Sequence, residues 1–78
     1  MERMTKKISE LKQGEKCVIA ELKGETRFMN RIVAIGLTPG CHVEIVKNQK
    51  NRPLLIYSRD TMIALNSKEC ENIFVQGE

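Results

Sequence analysis

Residues Arg31-Ile32-Val33-Ala34-Ile35-Gly36-Leu37-Thr38-Pro39-Gly40 carry the pattern on which the rest of the chain hangs. An apolar stretch stops at Gly36 and runs straight into a turn. Upstream, Phe28, Ile32 and Ile35 are spaced four and three apart, which predicts a helix over 25–35 with these residues on one face. Met29 and Val33 widen that stripe, while Arg27, Asn30 and Arg31 fall on the other side. Glu25 suits the positive end of the helix. Gly36 can take the left-handed conformation that commonly closes a helix. In Leu37-Thr38-Pro39-Gly40, Pro39 presets φ for the first central position. Gly40 tolerates the positive φ of the second, which is the chemistry of a type II turn.

Beyond this turn the chain reads as short strands. Cys41-His42-Val43-Glu44-Ile45-Val46 alternates, with Cys41, Val43 and Ile45 on one face and His42 and Glu44 on the other. After a polar loop, Asn48 to Pro53, come Leu54-Leu55-Ile56-Tyr57 and Met62-Ile63-Ala64-Leu65, joined by Ser58-Arg59-Asp60-Thr61. Asn66 to Glu71 suits one helical turn with Ser67 as its N-cap, and Ile73-Phe74-Val75 is a final strand. Upstream of the helix, Cys17 to Leu22 is apolar on both faces and reads as a mostly buried strand. Before it, Ile8 and Leu11 sit three apart, so one turn pins both to the core and Gly14 ends it. Five short strands, with a helix between the first two, predict a mainly β fold bent into a small barrel rather than an open sheet. The expected core is Val18, Ala20, Leu22, Ile32, Ile35, Leu37, Val43, Ile45, Leu54, Ile56, Ile63, Leu65, Ile73 and Val75.

Size limits function. Seventy-eight residues make one domain, and a domain so small commits nearly all its aliphatic side chains to one core. The walls of a large catalytic pocket are hard to supply from what remains. The longest apolar runs are far short of the ~20 residues of a membrane span. The charged start, Met1 to Lys7, is not followed by the apolar stretch of a signal peptide. Cys17, Cys41 and Cys70 are odd in number and widely spaced, against a disulfide framework. These features predict a cytoplasmic protein without membrane insertion.

The net charge of +3 is unevenly spread. The positive excess lies in an N-terminal arm with Arg3, Lys6, Lys7 and Lys12, and in a central region with Lys47, Lys50, Arg52 and Arg59. Such clusters meet phosphates or acidic protein surfaces, or simply keep a turn solvated. Nucleic acid is not the expected partner. Small barrels bind it by stacking bases on exposed aromatics beside basic residues, and only Tyr57 beside Arg59 offers such a pair, since Phe28 and Phe74 read as core.

No catalytic motif is present, and His42 is the one histidine. Three cysteines and a histidine could in principle satisfy tetrahedral zinc. Yet Cys41 and His42 are adjacent and point to opposite faces of a strand, while Cys17 and Cys70 lie in apolar segments. They read as packing residues, and no metal site or cofactor is expected. Asp60, Glu69 and Glu71 offer no more than a weak contact to a divalent cation.

The decisive segment resembles the signature of the FeoA family, in which an arginine, an apolar helix end and G-L-x-P-G precede a strand. Ile8 to Glu15 resembles the family's opening L-x-x-L-x-x-G, and Pro53-Leu54 its P-L strand start. Ile63-Ala64-Leu65 and Ile73-Phe74-Val75 resemble its closing I-A-L and I-x-V. The likeness spans 8–75 within a single domain of 1–78. It implies an SH3-like β-barrel with a helical insertion, and an accessory role in ferrous iron uptake beside FeoB, a membrane transporter with a cytosolic GTP-binding domain. The same fold occurs as the C-terminal domain of DtxR-type repressors, whose helix-turn-helix domain has no room in this chain. Three positions depart from the pattern: Arg59-Asp60 where Gly is frequent, Asn66 where a basic residue is common, and Cys70 in place of Ala. The expected partner-facing residues are Arg27, Arg31, Lys47, Lys50, Arg52 and Arg59, with Gly36, Pro39 and Gly40 as the structural turn. A metal-binding or iron-sensing module and a nucleic-acid-binding barrel are the rival readings.

Overall fold

The structure is a computed structural model and describes residues 5–77. Strand β1 (Lys6–Lys7) runs into a 3-10 turn (Ile8–Glu10), followed by β2 (Lys16–Leu22) and helix α1 (Thr26–Ala34). Then come β3 (His42–Lys47), β4 (Leu54–Ser58), β5 (Thr61–Leu65), the short helix α2 (Ser67–Cys70) and β6 (Ile73–Gly77). The six strands form one antiparallel sheet in the order β1-β6-β2-β3-β4-β5. The expected helical insertion between the first two long strands is present. The sheet bends but does not close: β1 and β5 end it and do not pair with each other. The expected closed barrel is therefore corrected to an open, coiled sheet of SH3-like topology. The sixth strand is Lys6–Lys7, too short and too charged to read as one.

Bulges explain both the bend and a misread core. Between β2 and β6 the register runs from Ile19↔Val75 to Glu21↔Phe74, so β2 carries one extra residue at Ala20. An inserted residue kinks the strand and reverses the parity of everything after it. Cys17 and Ile19 therefore point inward before the bulge and Leu22 after it, whereas Val18 and Ala20 are only half-buried. Strict alternation back from Leu22 selects Val18 and Ala20, which are not core residues. A second bulge at Val46 separates Ile45↔Ile56 from Lys47↔Leu55.

The core takes Ile8 and Leu11 from the entry turn, Ile32 and Leu37 from the helical insertion, and Ile45, Ile56, Leu65, Ile73 and Val75 from the sheet. Ile63 is half-buried against it. The helix meets it through Ile32, with Phe28 and Met29 partly covered. Val33 and Ile35 turn outward, at 49% and 42% exposed, which corrects Ile35 as a core residue. The helix ends one residue early, and Ile35 is its C-cap rather than a continuing face.

Helix α2 is also capped differently from expectation. Its N-cap is Asn66, not Ser67. Asn66 Oδ1 accepts from the Glu69 amide at 2.8 Å, and Glu69 Oε1 accepts from the Asn66 amide at 3.0 Å. This reciprocal box satisfies two orphan donors where Ser67 would satisfy one.

Candidate functional site

Helix α1 stops in a hydrogen-bond pattern that only a residue with positive φ can complete. Gly36, at φ +97, donates to the Val33 carbonyl at 3.0 Å, and Leu37 donates to the Ile32 carbonyl at 3.1 Å. This is a Schellman closure, and Ile32 and Leu37, both fully buried, supply the apolar contact that accompanies it. The type II turn follows as read: Gly40 has φ +93, and Cys41 donates to the Thr38 carbonyl at 3.0 Å. Two further bonds pin this turn to β2, from the Gly40 amide to the Ile19 carbonyl at 2.7 Å and from the Ile19 amide to the Cys41 carbonyl at 2.9 Å.

The β4–β5 hairpin reaches over the same loop. Its turn places Arg59 and Asp60 both at positive φ, 52° and 62°, the geometry of a type I′ turn built without glycine. The departure from the family pattern thus leaves the hairpin tight. Beneath the turn, Ser58 is 3% exposed. Its Oγ donates to the His42 carbonyl at 2.8 Å and lies 3.1 Å from Cys41 Sγ, so the thiol can donate to the hydroxyl in turn. The same thiol lies 3.6 Å from the Gly36 carbonyl. This chain of contacts stitches hairpin, loop and the start of β3 together. Ser58 escapes a search for chemistry, although its place in the Leu54, Ile56, Ser58 alternation marks it as inward-facing.

Thr38, Pro39, Gly40, Cys41, His42 and Arg59 line an open cleft of about 420 Å³ between hairpin and loop. Its wall is backbone and turn, with one guanidinium and one imidazole at the rim. No carboxylate pair lines it, so the arrangement suits recognition of a polar or acidic group rather than proton transfer. Beside it Tyr57 Oη donates to Asp60 Oδ1 at 3.0 Å, and this hydrogen bond, with the Asp60 charge, lifts the phenol above its ordinary value.

The six expected partner-facing cations are all exposed, but they do not gather in one place. Arg59 lines the cleft above. Lys50 and Arg52 flank a second, with Asn48, Asn51, Ser67 and Glu71. The root of that loop is fixed by Asn48 Nδ2, which donates to the Ser9 carbonyl at 2.9 Å and the Leu11 carbonyl at 2.6 Å. Arg31 lines a third, on the face of α1 toward α2. There its Nη1 lies 2.7 Å from Glu69 Oε2. No N–H points squarely at that buried oxygen, so the contact is an ion pair without an aligned hydrogen bond. Glu69, expected to offer no more than a weak cation contact, is turned inward, and the Asn66-x-x-Glu69 spacing is the sequence signal of that role. Arg27 is exposed on α1 and Lys47 at the end of β3. Of the N-terminal arm, Arg3 lies outside the described residues.

Cys17, Cys41 and Cys70 form no disulfide, and Cys17 and Cys70 are buried. Burial, and secondarily the Glu69 carboxylate, pushes the Cys70 thiol up to about 11. Among the described residues, no three His, Cys, Asp or Glu side chains gather so as to hold a metal ion. Among them, too, no helix is long and apolar enough to cross a membrane.

No curated protein matches this chain in sequence. Solved structures do match in fold. The crystal structure of an iron uptake regulatory protein (FeoA) superposes with a TM-score of 0.90 at 21% identity, covering 96% of this chain and 100% of that one. The solution structure of iron(II) transport protein A from Clostridium thermocellum gives 0.85 at 26% identity, over 92% of this chain and 45% of that one. A manganese-dependent transcriptional repressor gives 0.92 at 10% identity, over all of this chain and 44% of that one, so the likeness there is one of fold alone. The family model of the FeoA domain matches residues 6–77, from β1 to the end of β6, and the chain belongs to the FeoA domain family.

Proposed function

We propose that this protein is an accessory of ferrous iron uptake, which docks on the cytosolic part of a FeoB-type transporter and modulates its activity without chemistry of its own. The observation that carries this reading is the FeoA domain match over nearly the whole chain. It is supported by a surface of turn-built, cation-rimmed clefts with no acid–base pair in the cleft beneath the hairpin. Docking in the cytoplasm through charged loops accords with the positive excess at Lys47, Lys50, Arg52 and Arg59, with Arg27 and Arg31 of α1 as further contacts.

Lys50 and Arg52 are exposed and flank one cleft, so reversing both charges leaves the core untouched. Lys50→Glu with Arg52→Glu should weaken binding to the transporter's cytosolic domain, most clearly at low salt, where surface charges are least screened. Affinity unchanged at low ionic strength would remove this patch from the interface. No binding by the wild type in any nucleotide state of that domain would overturn the reading itself.

A further inference from the structure

The two edges of the sheet are unlike. On one side β1 is only Lys6–Lys7, short and charged, which is how natural sheets discourage further pairing. On the other, β5 presents Thr61-Met62-Ile63-Ala64-Leu65, five residues with no charge and no proline. Its partner β4 covers one side, and no described strand covers the other.

The hairpin fixes which backbone groups face outward. A two-residue turn closes on a hydrogen-bonded pair, here Ser58↔Thr61, and the pairs alternate from there. Ile56↔Ile63 and Leu54↔Leu65 are then bonded to β4, while Met62 and Ala64 direct their N–H and C=O groups to the open edge. Met62 and Tyr57 are opposite one another on the outer face, as are Ala64 and Leu55. Met62 is 50% exposed and Tyr57 40%, so the unpaired edge borders an uncharged, largely apolar strip.

We infer that β5 is the pairing edge for a second copy of this chain, joined antiparallel about a two-fold axis at Ile63. In that register Met62 and Ala64 exchange backbone hydrogen bonds with Ala64 and Met62 of the other copy, which satisfies all four outward groups of each strand. The charges favour self-pairing. Thr61 to Leu65 carries no charge, so no two like charges are opposed along the paired strands although the whole chain carries +3. Tyr57 and Met62 of one copy continue the outer strip into Ala64 and Leu55 of the other. Because β1 would set lysines against lysines, assembly stops at a closed dimer rather than growing into a fibre.

The test is amide exchange and sedimentation across about a hundredfold range of protein concentration. In the wild type, exchange of the Met62 and Ala64 amides should slow as concentration rises, while the already bonded Ile63 amide changes little. Met62→Lys with Ala64→Lys sets like charges opposite one another at exposed positions and should weaken association at least tenfold. Met62→Lys with Ala64→Glu opposes unlike charges in the same register and should restore it. A chain monomeric throughout the range would overturn the inference. So would self-association that leaves the Met62 and Ala64 amides unprotected, or that ignores the charge pattern. Binding to the transporter is read separately, so failure of one proposal leaves the other standing.

Discussion

Gly36 and Arg59 lie close together and illustrate two ways of occupying the left-handed region. A Cβ on Gly36 would meet only Arg59 Nη1, at 4.0 Å, so space is available and the restriction is conformational. Gly36→Ala should therefore cost about 1–2 kcal/mol, the penalty of φ +97 for a residue with a side chain. A urea melt showing no loss would mean the helix end rearranges. Arg59 and Asp60 already bear that penalty. Arg59→Asn with Asp60→Gly, the residues a type I′ turn prefers, should raise stability by about 1 kcal/mol even after losing the Tyr57–Asp60 bond. That corresponds to a rise of roughly 4–8 °C in Tm for a domain of this size. Cys70 offers a pH test. Its thiol titrates at about 11 in the fold against an ordinary 9.0. A raised pKa stabilises the fold fully below the unfolded value and loses that contribution as pH climbs through the folded one. Thermal stability should thus fall from pH 9 to 11, and less steeply in Cys70→Ala; equal slopes in the two proteins would absolve Cys70. Tyr57 shifts in the same sense but is present in both.

Among the elements, α1 and α2 are tied by one contact that periodicity does not reveal. Arg31 sits on the polar side of its helix, where exposure was the expectation, and its side chain remains 63% exposed. Its partner Glu69 is held inward by the Asn66 capping box, so the pair joins a surface cation to a buried carboxylate. Ordinary surface pairs contribute little, but removing Arg31 strands a buried oxygen. Arg31→Ala should cost about 1–3 kcal/mol, and Arg31→Ala in a Glu69→Gln background distinctly less. Equal losses in both backgrounds would show that the ion pair is energetically idle. The entry turn, the helix, the type II turn and the alternation of β3 were all legible, because each depends on local spacing or on Gly and Pro chemistry. The inward faces of Ser58 and Glu69 had local signals, in the Leu54-Ile56-Ser58 alternation and the Asn66-x-x-Glu69 spacing, but the partners they meet, and the outward turn of Ile35, depend on what lies opposite in space.

For the molecule as a whole, the 3-10 turn (Ile8–Glu10) matters more than its three residues suggest. It carries Ile8, fully buried, and with Leu11 it closes one side of the core of a small domain. Ile8→Ala should cost about 2–5 kcal/mol, a large share of the ~5 kcal/mol that so short a chain can hold. Denaturant unfolding would read this directly, and a loss below about 1 kcal/mol would mean the core collapses around the gap. The open edges act on the same footing: a sheet that stops at β1 and β5 instead of closing leaves one charged border and one neutral one. The expectation of a closed barrel failed here, because strand count and turn spacing are the same for a closed and an open coil. Closure rests on whether the first and last strands reach each other.

Local chemistry already written in the chain settled the five longer strands, the inserted helix, the glycine-closed turn and the family to which they belong. Such signals require only neighbours within a few residues. Three-dimensional packing settled the rest: the bulge at Ala20 that reverses the inward face of β2, the burial of Ser58 and Glu69, the scattering of the cations over separate clefts, and the unequal edges of the sheet. Each is a relation between segments distant in sequence. Hydrogen-bond register and burial decide such relations, and neither is a property of any single stretch of residues.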